Sequence, residues 1–288
     1  MIEMFKVIEI FRGIEIPKNN LCHIGLSVVL FIILLGSFAP LIAKDPYETN
    51  MAKRLEPPSS EHFFGADQLG RDLFSRVIYG ARTSLIVAIT ISAFSMGIGC
   101  LIGAVSGYFG GIIDDVIGRI IDVFLSIPEI VVNIALVGVF CTIYGSSTWN
   151  VILAVVFTNW VSYARITRGI VLSLKEREFI FCSKAIGAKS SWILFKHIIP
   201  NALGPIVVLA TLNVGNVILT IASLGFLGLG IQPPTPEWGQ LLNSGKNYIA
   251  TAPWITFFPG LFIALSVFGF NLLGEGLRDI LERRRIYE

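Results

Sequence analysis

Six apolar runs, each long enough to cross a bilayer, restrict this chain to one broad architecture. They are Leu21–Ile42, Ser84–Tyr108, Phe124–Ile143, Trp149–Ala164, Ala202–Leu224 and Pro253–Leu273. A hydrocarbon core of about 30 Å takes about 20 helical residues. Inside lipid a segment must satisfy its own backbone polar groups, and an α-helix does so within itself. The runs therefore predict an all-α membrane protein with six transmembrane helices. The fourth run is short, and its helix is expected to continue past Arg165 into the water interface. Charged residues make up only 15% of the chain, against about 25% in soluble domains, which excludes a soluble enzyme. The first run is too long for the apolar core of a leader, and Ala39–Ala43 is a poor cleavage site. We expect an uncleaved anchor.

Six spans put both termini on one side of the membrane, and basic residues choose that side. With the amino terminus inside, the inner segments hold 15 of the 22 Lys and Arg residues and the outer segments hold 7. Both termini are therefore expected in the cytoplasm. The chain divides into an N-terminus with the first helix (1–43), an extracytoplasmic loop (44–83), a five-helix core (84–275) and a cytoplasmic tail (276–288). Within the core, the basic connection 165–200 also faces the cytoplasm. A net charge of +2 is too small to point to nucleic acid.

The membrane runs are nearly free of ionisable residues; His23 and Glu129 fall inside them, both near run ends. Proton-coupled carriers place such groups at mid-membrane, where their expense marks function. The energy source is therefore expected outside this chain. Two segments imitate a nucleotide-binding loop and fail. After Gly65 and Gly70 the required Lys and Ser/Thr are replaced by Arg71 and Asp72; Gly239 and Gly245 are one residue too far apart, and Asn247 follows Lys246. The four cysteines have no ligand-like spacing and read as small hydrophobes, so no metal site is expected. The second run repeats a small residue every fourth position, Ser95, Gly99, Gly103, Gly107 and Gly111. Such a ridge lets helix backbones approach closely.

The basic connection reads as a short helix ending near Ala185 and a break at Gly187. A second helix follows, capped by Ser190 or Ser191, and Pro200 opens the next span. Ala185, Gly187 and Ala188 are small residues at the bend, where a partner can approach the backbone. Glu178, followed nine residues later by Gly187 and then by Pro200, resembles the EAA motif of importer-type ABC permeases. In that family the segment is the coupling helix that docks on an ATPase subunit. The resemblance implies that Glu178, Ala185, Ile186, Gly187, Ala188 and Ser190 carry the docking. Cys182 and Ser183 depart from the pattern, standing where alanines are usual, and are small enough for docking to survive.

Two further segments narrow the family. His62–Leu85, with Gly65, Asp67, Gly70, Arg71, Asp72, Arg76 and Arg82, is similar to an outer segment of peptide and nickel permeases. Leu224–Gly239, with Gln232, Pro233, Pro234, Glu237, Trp238 and Gly239, is similar to another. Together the three segments make the chain resemble the C-type permease of dipeptide, oligopeptide or nickel importers. The likeness implies the importer-type ABC permease fold with a cytoplasmic coupling helix, in the plasma (inner) membrane of a prokaryote. It implies as partners a homologous second permease, two cytoplasmic ABC ATPases that bind ATP and Mg, and an extracytoplasmic binding protein. No cofactor is expected in this chain, and no catalysis. The charged residues of the first segment are expected to form a clasp or a subunit contact. Gln232–Gly239, with an interfacial Trp238, is expected to shape the outer mouth. Asn133, Asn213 and Asn216 are candidate pore-lining positions, although Asn also serves as interhelical glue. Asp114, Asp115, Arg119 and Asp122 read as the solvated face of an entry helix.

Two other classes compete. A self-sufficient carrier or channel would need mid-membrane acidic residues that the runs do not show. A membrane-embedded enzyme would need a catalytic constellation, and His23, His62 and His197 have none around them. Cargo stays open between peptides and nickel chelates, because the two branches share all three segments.

Overall fold

The computed structural model describes residues 20–287, with side chains as far as 281; the N-terminal segment expected in the cytoplasm lies outside the described residues up to residue 19. The elements are α1 (Asn20–Ser37), α2 (Leu73–Phe109), α3 (Gly111–Ser126), α4 (Glu129–Tyr144) and α5 (Thr148–Leu174). They continue with α6 (Glu178–Ala185), α7 (Ser190–Phe226), α8 (Trp238–Gly245) and α9 (Trp254–Tyr287). No strand occurs among the described residues; an isolated bridge joins Ala66 and Asp72.

The six expected spans resolve unequally. Helices α1, α2, α7 and α9 are each long and apolar enough to cross a membrane. The third run, expected as one helix over Phe124–Ile143, is broken: α3 and α4 meet at 91°. Pro128 causes the break. It has no N–H to give the helix, and it forces the preceding Ile127 to extended backbone, φ −107°, ψ 133°. The fourth run does continue past Arg165, to Leu174. Helix α5 is less apolar than the spanning helices because it carries Asn150, Thr158, Asn159 and Thr167, all buried against neighbouring helices. It is an interior helix, and its polar groups find partners in the bundle.

Two helix starts also differ from the sequence reading. Helix α2 begins at Leu73, not Ser84, because Asp72 caps it: Ser75 N donates to Asp72 Oδ2 at 2.8 Å. Helix α7 begins at Ser190 and runs unbroken through Pro200. The residue at its cap position is Lys189, with no side-chain cap, so Ser190 and Ser191 do not cap it. A widened π turn over Leu194–Ile198 shifts the carbonyls with which the Pro200 ring would clash.

The small-residue ridge forms the seam between α2 and α5. A Cβ at Gly99 would lie 2.4 Å from Trp160 O, and one at Gly103 2.3 Å from Ala164 O. A Cβ at Gly107 would sit 2.9 Å from Arg168 O, and Ser95 is fully buried. Gly111 is not part of the seam. It belongs with Gly110 to the tight α2–α3 turn, where both have positive φ. The main core gathers Ile32, Leu73, Val77, Ile91, Val155, Ile218 and Trp238.

Candidate functional site: the basic loop and its supports

Helix α6 and the start of α7 form a projecting hairpin. Gly187 turns it: φ is +79°, its N–H donates to Lys184 O at 3.0 Å, and Ala188 N donates to Ser183 O at 3.1 Å. Only glycine adopts this left-handed cap without strain. Glu178, Ala185, Ile186, Gly187 and Ser190 are exposed, and Ala188 is half-buried. Ile186 is 83% exposed, a large apolar side chain held in solvent at the tip. With Gly187, Ala188, Lys189 and Trp192 it lines a shallow hollow. Cys182 is exposed, whereas Ser183 is buried and donates to Phe179 O at 2.8 Å.

The inner face of the hairpin is anchored. Ile180, Ile193, Leu194 and Ile198 are buried with Ala104 of α2 and Val171 of α5. Lys175 Nζ donates to Gly107 O at 3.1 Å, and Lys184 Nζ lies 5.7 Å from the Tyr108 ring centroid. The sequence reading missed the adjacent tie. Arg168 of α5 grips Asp114 of α3, Nη2 to Oδ2 at 2.6 Å, and Ser106 of α2 donates to the same carboxylate. Asp115, Arg119 and Asp122 remain exposed, as a solvated face should, but Asp114 does not belong with them.

On the opposite side the outer segment closes on its own chain. Asp67 Oδ2 accepts from Arg71 Nε at 2.7 Å and lies 3.5 Å from Arg76 Nε, with all three side chains buried. Arg76 also donates to Pro46 O at 3.0 Å and to Gln240 Oε1 of α8 at 3.3 Å. Asp72 accepts from Ser75 and pairs with His62 Nδ1 at 2.8 Å. Gly65 and Gly70 make the turns, with φ of +80° and +70°; a Cβ at Gly70 would stand 1.7 Å from Asn50 O. These residues form a clasp within the chain. Arg82 is exposed and takes no part in it.

The expected outer-mouth segment divides in two. Gln232, Pro233 and Pro234 are exposed; Glu237, Trp238 and Gly239 are buried. Trp238 is not interfacial. It is fully buried, and its Nε1 donates to Val77 O at 3.0 Å. Glu237 caps α8, accepting from Gly239 N at 2.8 Å and Gln240 N at 2.9 Å, and receives Ser84 Oγ at 3.2 Å. Burial pushes its carboxyl pKa up, and the three donors oppose that rise.

Two of the three asparagines expected at a pore serve as interhelical glue. Asn133 is fully buried and accepts from Thr158 Oγ1 at 2.8 Å. Asn213 is buried and donates to Tyr163 Oη at 3.1 Å and to Asn159. Neither side chain faces open space; Asn216 is exposed. Among the described residues no group of three metal-ligating side chains assembles.

Comparison with known proteins agrees with this arrangement. Residues 99–287 match the family described as binding-protein-dependent transport system inner membrane component. Residues 17–58 match the N-terminal TM domain of oligopeptide transport permease C. A dipeptide transport system permease protein of Alkalihalophilus pseudofirmus is 45% identical, over 93% of this chain and 87% of that protein. An oligopeptide transport system permease protein of Bacillus subtilis is 40% identical, over 92% and 86%. A glutathione transport system permease protein of Escherichia coli is 43% identical, over 90% and 86%. Among solved structures, a methionine ABC transporter in an inward-facing conformation aligns with TM-score 0.59 and 21% identity, over 72% of this chain and 97% of that one. This last likeness concerns the fold alone.

Proposed function

The chain belongs to the inner membrane components of binding-protein-dependent transport systems, and on that premise we propose that it forms half of an ATP-driven pathway for dipeptides or short oligopeptides. The observation that carries the reading is the projecting hairpin. It exposes Ile186 and Gly187 at its tip while its base is locked into two long helices. Relatives that transport dipeptides, oligopeptides and glutathione support a peptide cargo over a nickel chelate. The partners in this reading are a homologous permease, two ATPases that bind ATP and Mg, and an extracytoplasmic binding protein. Both termini and the hairpin face the cytoplasm, following the basic residues.

The geometry gives the hairpin a lever. Its second arm is the first turn of α7, a single helix of 37 residues, about 55 Å long at 1.5 Å per residue. A push at the tip therefore enters a membrane helix at Ser190, three residues beyond Gly187. The first arm follows α5, which is tied to α3 through Arg168 and Asp114. Closure of the ATPases would rotate α7 against α5 and carry α3 along, exchanging inward-facing for outward-facing states.

Co-expression with the neighbouring ATPases and binding protein tests the reading. The wild-type complex, reconstituted in vesicles, should take up a dipeptide when ATP and loaded binding protein are supplied, and this chain alone should not. Gly187→Arg should abolish both ATPase capture and uptake. The position is open, with nothing within 4 Å of a Cβ, so the fold should bear only the strain of positive φ, about 1–2 kcal/mol. Uptake that survives this variant would refute docking at the hairpin.

A further inference from the structure

The elbow between α3 and α4 lies partway along α5 rather than at either of its ends. Both helices run alongside α5: Asp114 meets Arg168 at one end, and Asn150 Nδ2 donates to Gly145 O at 2.6 Å at the other. Between these ties, Glu129 stands opposite Thr158. Thr158 is ten residues into α5, about 15 Å along the helix; with the start of the apolar run Trp149–Ala164 placed at the membrane face, that is half of a hydrocarbon core of about 30 Å. A break in the backbone at that depth is tolerated only where it is buried in protein or lines a watery cavity. Here Ile127, Pro128 and Glu129 are exposed. They border a crevice of about 240 Å³ whose other walls include Phe124, Thr158 and Ser162.

Glu129 is left without a counter-charge in this crevice. Its contact with Thr158 Oγ1 is 3.3 Å, and Asn133 Oδ1 at 2.8 Å and Val155 O at 3.1 Å compete for that hydroxyl's single proton; none of the ion pairs among the described residues includes Glu129. The same hydroxyl contacts Asn133 Oδ1, one turn further along α4, and the fully buried Nδ2 of Asn133 has no partner. The polar array is thus incomplete on both sides of Thr158. An ionisable side chain within a membrane bundle and without a counter-charge is expensive, and its position marks a pathway or a ligand.

We propose that the elbow crevice is a cargo contact, in which the Glu129 carboxylate, helped by the hydroxyls of Thr158 and Ser162, receives the terminal ammonium group of a peptide passing through the pore. This deepens the function proposed above and rests on it. An organic ammonium suits the site better than a metal ion. One carboxylate and two hydroxyls match three N–H donors, whereas no group of three His, Cys, Asp or Glu side chains assembles among the described residues to hold a metal. The apolar walls, Phe124, Ile127, Pro128 and Val161, accept the carbon skeleton beside the ammonium.

The test uses the whole transporter in vesicles, with binding protein and ATP, and dialanine as cargo. Glu129→Gln should lower dialanine uptake at least tenfold with the complex intact by size exclusion, and Glu129→Asp should recover most of it. A second measurement separates a cargo site from a structural one. Ser162→Cys is introduced after the four native cysteines are replaced, and its alkylation by N-ethylmaleimide is followed. Excess dialanine should slow alkylation at least threefold, N-acetyl-dialanine should not, and protection should vanish in Glu129→Gln. Undiminished uptake in Glu129→Gln, equal protection by both peptides, or a thiol sealed off by the partner permease would each overturn the proposal. Absence of dialanine uptake by the wild-type complex would instead refute the underlying reading.

Discussion

Glycine 103 offers the sharpest test of how this bundle is held together. Helices α2 and α5 touch there through their backbones: a Cβ on residue 103 would lie 2.3 Å from Ala164 O, 2.9 Å from Thr167 Cβ and 3.0 Å from Ala164 C. Ordinary non-bonded carbon–oxygen contacts are about 3.3 Å or longer, so Gly103→Ala forces the helices apart by about 1 Å. Two of the three atoms are backbone and cannot swing aside. Overpacking of this kind costs about 1–3 kcal/mol, and the displacement also loosens the neighbouring contacts at Gly99 and Gly107. Opposing it is a gain in helix propensity of about 1 kcal/mol for replacing glycine by alanine. The expected net result is a loss of up to about 2 kcal/mol, or more if α5 cannot slide. Gly97 supplies the control. It lies in the same helix with nothing within 4 Å of its Cβ, so Gly97→Ala should show the propensity gain alone. Denaturant unfolding of the purified protein in detergent, followed by tryptophan fluorescence, reads both. The two substitutions should move the midpoint in opposite directions. If Gly103→Ala is as stabilising as Gly97→Ala, backbone contact does not hold the seam, and the packing account of the ridge is wrong.

Two further outcomes follow from the ties described above. Arg76→Met removes a fully buried guanidinium and leaves Pro46 O and Gln240 Oε1 without their donor, whereas Asp67 keeps its closer partner Arg71; a buried acceptor left unsatisfied costs about 1–3 kcal/mol, visible as a fall in thermal stability. Arg168→Gln should leave folding nearly intact, because Arg168 is 37% exposed and solvent screening keeps such a pair near or below about 1 kcal/mol. Its effect belongs to coupling: ATP hydrolysed per peptide imported should rise, and exchanging the charges (Arg168→Asp with Asp114→Arg) should restore the ratio toward the wild-type value.

Some of this protein was legible in its residues because the signal was local. The hairpin at Gly187 could be read from sequence: a helix-forming stretch, a glycine where φ must be positive, and a new helix leave few alternatives. The glycine ridge announced a close helix contact, and the partner turned out to be α5 of the same chain. Other features depended on partners far along the chain. Trp238 looked interfacial because tryptophan prefers the membrane edge, but Val77, 161 residues away, supplies a buried acceptor for its ring N–H. Asp114 looked solvated because its neighbours in sequence are charged, and only the approach of α5 puts Arg168 beside it.

By itself, the sequence determined that this chain is a membrane-embedded helical bundle, with a basic hairpin between its later spans. Those conclusions rest on apolar length, on backbone hydrogen bonding in lipid and on single-residue turn chemistry, none of which needs a distant partner. Tertiary structure decided which polar side chains are sealed and which stay open. Asn133 and Asn213 became glue because other helices brought them acceptors or donors, whereas Glu129, which reads as a residue near the end of a run, was set beside Thr158, partway along α5, by a break at Pro128. The depth of a side chain in the bilayer depends on where its helix bends and what it leans against. Apolar run lengths carry neither.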